Sequence, residues 1–567
     1  MNIKEIYRKL SPPTWFCILF ALWYLLNLVQ GYCTDLADDE AYYYFYSQHL
    51  AWGYFDHPPM LALLIKLGYT LFHNELGVRF FIILLQPFYL WLIWDMIKPP
   101  HFSKRQVTTY FLICFSIPLM QLYGFMAVPD APLLFFSALF LWSYHQFCKN
   151  DSWPVVFLMA FSMAALAYSK YHGAIVVFFV LLSNLKIFRN YKIYVAGLVA
   201  FLLILPHLYW QYTHEWITFQ YHLIGRNSGF NGKNILRYGM NLLLIFNPLL
   251  LPILIKSWKK VWKSNALFKA YAYMMIGFVV FFAYNSFYKE IQAQWMIPLS
   301  FCVISFIFAY VIQHDKAMKY VNIVGIISLF FFLLMRIYIL FFPLGNNAEL
   351  YKSQETYHQL YDAVGGKPVI FMGHYQMASK YRFYTKQEAY AQSNVFYRQT
   401  QFDLEKVDEK LLGQKVAVQT WNTGQCVTLP NKKKFYFQFV EKYQPVKEVK
   451  VYCDPLPEIV PNGTILHTRI RLYNPYSDTL RIDNSCVKVV LYLFHKSEIL
   501  LLLPMEGAVG EIPAKSSRFF DLSWSIPQTM KEGYYQIGFS VQAYPLHSWI
   551  NGKTVPIQVV TSNKTEN

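Results

Sequence analysis

The sequence predicts a polytopic α-helical membrane protein with about 11 transmembrane helices, followed by an aqueous α/β plus β-sandwich region. Three observations carry this. Of the 567 residues 55% are hydrophobic and 19% aromatic, while 15% are charged, well below the quarter or so of a soluble domain. Apolar runs long enough to cross a bilayer recur up to about residue 343 and then stop. Beyond that point strand-like alternation and turn residues take over. A disordered chain, a single soluble domain and a disulfide scaffold are excluded.

The first apolar run, from Trp15 to about Val29, follows the basic MNIKEIYRKL without a small-residue cleavage site, so a retained signal anchor is expected. Further spans are expected near residues 86, 116, 139, 161, 180, 200, 246, 276, 303 and 330. The net charge of +17 is uneven: residues 1–343 hold 25 Lys/Arg against 13 Asp/Glu. If the N-terminus is cytoplasmic, the alternate loops with Lys98, Lys104, Arg105, Lys149, Lys186, Arg189, Lys192, Lys256–Lys263, Lys316 and Lys319 fall inside. That bias follows the positive-inside rule and places the tail outside. The expected location is therefore a multi-pass protein of the inner (plasma) membrane, with a periplasmic C-terminal region. Nucleic-acid binding lacks a solvated basic stripe to support it.

Residues 1–343 are expected to form the membrane domain, with a first outer loop at 31–74 that holds an interfacial helix over Met60–Phe72. Residues 344–455 read as a small α/β domain, and residues 456–567 as a β-sandwich of immunoglobulin type. The eight cysteines make no metal-binding spacing; Cys426 and Cys453 are either a disulfide or two thiols, the thiols being favoured.

Five of the thirteen acids in the membrane half crowd into the first outer loop: Asp35, Asp38, Asp39, Glu40 and Asp56. DEAYYYFYSQHL has no Gly or Pro and should be helical, with Asp39 and Glu40 on adjacent faces. These acids either solvate a loop or form a chemical site. WGYFDHPPM, from Trp52 to Met60, favours the site, because Pro58-Pro59 stiffens the backbone that presents Asp56 and His57. A carboxylate can act as base or metal ligand, and an imidazole can bind phosphate or shuttle a proton.

DEAYYYFYSQHLAWGYFDHPPM resembles the first-loop signature of membrane glycosyltransferases of the C-type fold. It is most similar to the bacterial branch of the dolichyl-phosphate-mannose–protein mannosyltransferase family (family 39), related to the aminoarabinose transferases of lipid A. MAVPDAPLLFF (126–136), YSKYHG (168–173) and PHLYWQYTHEWITFQYH (206–222) followed by Gly225-Arg226 match in order, over residues 10–310. All four motifs fall outside in the charge-derived topology. The resemblance implies an enzyme that moves a sugar from a polyprenyl-phosphate donor to a protein, lipid A or glycan acceptor by inverting displacement. It implies catalytic roles for Asp39, as the base, and Glu40, as its support or a metal ligand. Substrate-binding roles are implied for Asp56, His57, Asp130, Lys170, Tyr171, His172 and Arg226. The aminoarabinose branch has Lys where His57 stands, which leaves phosphate binding by His57 open. A divalent metal is left open too. The rival functions are a transporter of lipid-linked sugar and a non-enzymatic envelope scaffold that binds glycan.

Overall fold

The structure is a computed structural model and describes residues 8–225, 230–341, 349–350, 352–395, 398–495 and 498–561. The chain divides into two compact units, residues 1–351 and 352–567.

The first unit is helical. Several of its helices start where the sequence offers a side chain to the unpaired amides of a first turn. Ser11 accepts from the Thr14 amide ahead of Pro12–Cys33. Asn74 accepts from Gly77 ahead of Glu75–Ile97, and Asn265 from Phe268 ahead of Ala266–Ser286. Ser103 and Gln106 form a reciprocal capping box at Lys104–Phe115.

Each expected span centre has helix at or beside it, but among the described residues five helices are long and apolar enough to cross a bilayer. These are Pro12–Cys33, Glu75–Ile97, Lys192–Thr213, Ala266–Ser286 and Asp315–Phe341. Gly232–Leu243 and Pro248–Val261 are bent by 69° about the break at Asn247, a broken span or a re-entrant loop, and counted as one span they bring the number to six. The segment expected near residue 116 breaks, because Pro118 cannot donate an amide to the preceding turn. Phe115 ends one helix and Pro118–Leu122 forms a separate one. Trp153–Ser169, His172–Leu182 and Leu299–Val311 are apolar but shorter than a bilayer core requires when upright. At Asn247, φ is +48°, and its side chain holds both sides of the break: it donates to Ser116 O at 2.9 Å and accepts from Leu249 N at 3.2 Å.

The interfacial segment is helical over Met60–Leu71, with Leu61, Ala62, Ile65 and Gly68 buried and Leu63, Leu67 and Leu71 exposed. A large aromatic-rich core built by Trp23, Trp94, Tyr110, Phe301, Phe308 and their neighbours fills the unit.

In the second unit, β1 (Val369–Met372) lies parallel between β2 (Ala389–Gln392) and β3 (Val416–Thr420). Antiparallel β5 (Lys434–Val440) and β4 (Gln425–Thr428) extend this sheet in the order β2-β1-β3-β5-β4. The rest is a two-layer sandwich. One layer has the order β11-β10-β14-β16-β7, with β15 added beside β14. Its strands are β7 (Ile459–Pro461), β10 (Val487–His495), β11 (Glu498–Pro504), β14 (Gly533–Ala543), β15 (Trp549–Ile550) and β16 (Val555–Val560). The facing strands are β6 (Lys450–Cys453), β8 (Ile465–Tyr473) and β13 (Ser517–Ser525), with β9 (Leu480–Ile482) paired to β12 (Gly510–Ile512). In β8 and β13 buried and exposed residues alternate, as one-sided burial of a pleated strand requires. All eight cysteines are free thiols, Cys426 and Cys453 included.

Candidate active site

The acidic helix runs Asp38–Gln48 and starts after Ala37, which has no side chain to cap it. Glu40 supplies the cap, its Oε2 accepting from the Ala37 amide at 2.9 Å. The same carboxylate is clamped by Arg79 of Glu75–Ile97: Nε donates to Oε1 at 2.7 Å and Nη2 donates to Oε2. Oε1 also accepts from the Ala127 amide at 2.7 Å. Arg79 spends its remaining donors on the carbonyls of Gly31, Thr34 and Asp35, at 2.6–2.9 Å. Both side chains have 0% exposure. A fully buried pair stands only where nearly every lone pair and proton is satisfied, and here they are. Glu40 therefore fixes the place of its helix and of the 126–130 segment.

Asp39, one residue earlier, is exposed. Its charge and that of Asp130 both act on Tyr123, in the turn after Pro118–Leu122: burial first, then these two carboxylates, holds that phenol above its ordinary range. Asp130 opens the helix Asp130–Lys149, and both of its oxygens accept from Lys170 Nζ, at 2.7 and 2.8 Å. The Asp130 and Lys170 side chains are 5% and 7% exposed. Lys170 is thus no free cation; it is balanced in place.

The turn at 52–59 is braced on all sides. Gly53 lies so close to Trp210 that a Cβ would sit 2.3 Å from the indole, so only glycine fits. Tyr54 stacks on Tyr46, centroids 4.3 Å apart, and its hydroxyl reaches the carbonyls of Tyr46 and His49. Tyr46 donates to Asp56 Oδ1 at 2.6 Å; burial, then the Asp56 charge, keeps this phenol neutral by raising it well above its ordinary range. His222 Nε2 donates to the Asp56 carbonyl at 2.8 Å, and the rings of His57 and His222 lie 6.1 Å apart.

Helix Lys192–Thr213 adds a second brace. His207 Nδ1 donates to Trp52 O at 2.6 Å, which leaves Nε2 to accept from Tyr171 Oη at 3.1 Å. Tyr171 Oη in turn accepts from Gln211 Nε2 at 3.0 Å, and Gln211 also holds Thr218, whose hydroxyl donates to Tyr54 O at 2.9 Å.

His172 is packed between Phe282 and Trp295, at centroid distances of 5.5 and 5.1 Å, and its Nδ1 has no hydrogen-bond partner among the described residues. The charged and titratable groups around it are Lys170, His222, His57 and Lys289. Beside the 52–59 turn lies an apolar cavity of about 470 Å³, lined by Leu50, Ala51, Trp52, Pro59, Met60, Leu63 and Tyr168.

The expected residues are thus gathered by two hydrogen-bonded frames. The charges of Asp39 and Asp130 both act on Tyr123, and Asp130 is tied to Lys170; Asp56, His57 and Tyr171 have His222 as a neighbour, and the charges of His57 and His222 act on His172. Arg226 lies outside the described residues. Among the described residues no three His, Cys, Asp or Glu converge as a metal shell.

Sequence reasoning missed four side chains. Arg79, Arg336, His207 and Gln211 stand inside apolar helices, where a buried polar group in a span is itself a signal. Arg336 donates from Nη2 to Gln121 O at 2.7 Å, while its Nε and Nη1 have no partner among the described residues. The Phe125 ring lies between the Arg79 and Arg336 guanidinium groups, at 5.7 and 5.3 Å.

Comparison with known proteins agrees with the motif resemblance. The profile of the dolichyl-phosphate-mannose-protein mannosyltransferase family matches residues 56–210. Lipid A galacturonosyltransferase RgtD of Rhizobium johnstonii is 28% identical over 222 residues, or 36% of this chain. That match spans 45% of the relative's own length. The apo structure of ArnT from Cupriavidus metallidurans superposes with a TM-score of 0.56 at 11% identity, over 75% of this chain and 98% of ArnT. The same protein bound to undecaprenyl phosphate gives 0.53 at 10% identity, over 74% and 97%.

Proposed function

Taking as premise that this chain is a membrane protein with the C-type glycosyltransferase fold, we propose that it transfers a sugar from a polyprenyl-phosphate donor to an acceptor hydroxyl by inverting displacement. The acceptor oxygen attacks the anomeric carbon as the bond from that carbon to the phosphate oxygen breaks. The bonding pair leaves with the lipid phosphate, and the acceptor proton passes to the Asp39 carboxylate. Asp39 suits this role because it is exposed at the first turn of a helix whose position Glu40 and Arg79 fix. A base so placed contributes about 10²–10⁴-fold.

The departing phosphate gains a negative charge and needs cations already in place. Lys289, the imidazoles of His57 and His222 when protonated, and Lys170 when it turns from Asp130 to the phosphate would supply that field on the groups that act on His172; the motif match adds Arg226 by sequence alone. The apolar cavity beside Trp52 and Tyr168 suits the first isoprene units of the donor. A polyprenyl-phosphate donor agrees with the undecaprenyl phosphate held by the ArnT structure. Acceptors are protein, lipid A or glycan; the name of RgtD favours lipid A among them. In this reading the motif-bearing end faces the periplasm, with the N-terminus cytoplasmic.

The observation that carries the proposal is the contrast between the exposed Asp39 and the saturated Glu40 beside it. The test is Asp39→Asn in membranes supplied with polyprenyl-phosphate sugars. Transfer should fall at least about a hundredfold while donor binding stays. Full activity in that variant would falsify the assignment.

A further inference from the structure

The terminal sandwich carries a cavity that the transfer chemistry does not use. In β10 and β14 the side chains of Val489, Leu491, Leu493, Tyr535, Ile537 and Phe539 fill the sandwich core. Their alternating neighbours point to the other face of the same sheet. In register there, Phe494 pairs with Gln536, Gln536 with Pro556, and Ser540 with Ile550. These residues surround a cavity of about 490 Å³, whose lining includes Phe494, Tyr534, Gln536, Ile550, Thr554 and Pro556. That volume lies within the range of about 300–1,000 Å³ usual for small-ligand sites.

The packing of three lining residues depends on a missing side chain. A Cβ on Gly538 would stand 3.2 Å from Phe494 Cε2 and 3.5 Å from methyl groups of both Ile550 and Thr554. Tyr534 offers a ring that is 75% exposed on the rim, and Phe494 is stacked on Tyr492 at 6.0 Å with planes 18° apart. Gln536 Oε1 accepts from the Thr554 hydroxyl at 3.0 Å. That bond orients the Gln536 NH₂ as a donor and leaves the Thr554 oxygen as an acceptor. The lining holds no Asp, Glu, Lys or Arg.

We propose that this cavity binds a neutral saccharide. An aromatic rim matches the C–H face of a pyranose, and an oriented carboxamide–hydroxyl pair matches its hydroxyl edge. A lining without formal charge disfavours phosphates and uronates, which need cationic partners, and the carboxamide disfavours an acyl chain. Saccharide binding here is independent of the proposed transfer chemistry.

The test uses the full-length protein in lipid nanodiscs, free of sugar-headed detergent, with saturation-transfer NMR. The probes are mannotriose, chitotriose and maltotriose, with trigalacturonic acid as the charged counterpart. At least one neutral trisaccharide should bind with Kd below about 10 mM. Tyr534→Ala and Gly538→Ala should each raise that Kd about tenfold or more. Gln536→Leu, which leaves the rings in place, should do the same, and guards against misfolding of the other two. No neutral binding in the wild type, binding unchanged in all three variants, or binding of trigalacturonic acid alone would each overturn the proposal.

Discussion

Two buried ion pairs stand close to the candidate site, and they are built differently. Glu40 and Arg79 are saturated: the carboxylate takes two backbone amides besides the guanidinium, and the guanidinium takes three carbonyls besides the carboxylate. Asp130 and Lys170 hold mainly each other, at a helix start and a helix end beside Tyr123 and His172. A charge whose bonds are all taken can position its neighbours but cannot change partners. A charge balanced by one partner can be redistributed when an anion arrives. On the proposed function, that difference makes Arg79 architectural and gives Lys170 an electrostatic role.

Four substitutions test that division, in decreasing order of effect. Arg79→Ala strands the Glu40 carboxylate in a buried place and should lower stability by about 3–5 kcal/mol. Loss of the folded fraction in fluorescence-detected gel filtration should follow; a well-folded, active Arg79→Ala would break the comparison. Gly53→Ala forces the Trp210 indole away from the 52–59 turn and should cost about 1–3 kcal/mol, read as a lowered thermal midpoint with weakened donor use. Lys170→Met combined with Asp130→Asn removes both charges of the second pair together. It should spare folding to within about 1.5 kcal/mol, since replacing a buried pair as a unit is close to neutral, yet raise the donor KM about tenfold or more. Equal losses in folding and in KM would collapse the distinction.

The tail repeats the contrast between a paired and an unpaired buried carboxylate. Asp403 is paired with Lys447 at 3.1 Å, whereas Asp408 is buried with Oδ2 unpartnered among the described residues. Burial pushes the Asp408 carboxyl up to about 6, Lys447 opposing and Asp403 adding to the rise. The folded state then holds a proton that the unfolded chain releases near pH 4. Stability is greatest below about pH 4 from this group and falls as pH rises from about 4 to 6, by on the order of 2–3 kcal/mol. Asp408→Asn should flatten this dependence and raise the unfolding midpoint of the tail at pH 7, measured on the full-length protein.

Much of this was legible in the chain. Five acids in one loop and a Gly-Tyr-Phe-Asp-His-Pro-Pro turn stand out in an apolar background, and the structure ties the acidic helix to that turn through the bond from Tyr46 to Asp56. Strict alternation in β8 and β13 announced a one-sided sheet. Span lengths were not legible, because a hydropathy run does not register a helix that stops at Phe115 and restarts at Pro118. Neither was the difference in surroundings between the exposed Asp39 and the buried Glu40. It depends on Arg79, which arrives from a helix 39 residues later and reads in sequence as one charge in an apolar run. His207 and Gln211 were hidden the same way: their partners, Trp52 and Tyr171, are 155 and 40 residues distant.

The bond from Glu40 to the Ala127 amide has a consequence for how the protein tolerates change. It joins the start of the acidic helix to the strand of chain that leads, three residues on, to Asp130. The spacing of Asp39 and Asp130 is therefore tied by a bolt across the bundle, not by the length of chain that runs between them. Residues 99–101 lie on that path between two helices, ahead of Phe102, which packs on Trp94, and Ser103, which caps the next helix; an insertion confined to 99–101 should leave that spacing unchanged.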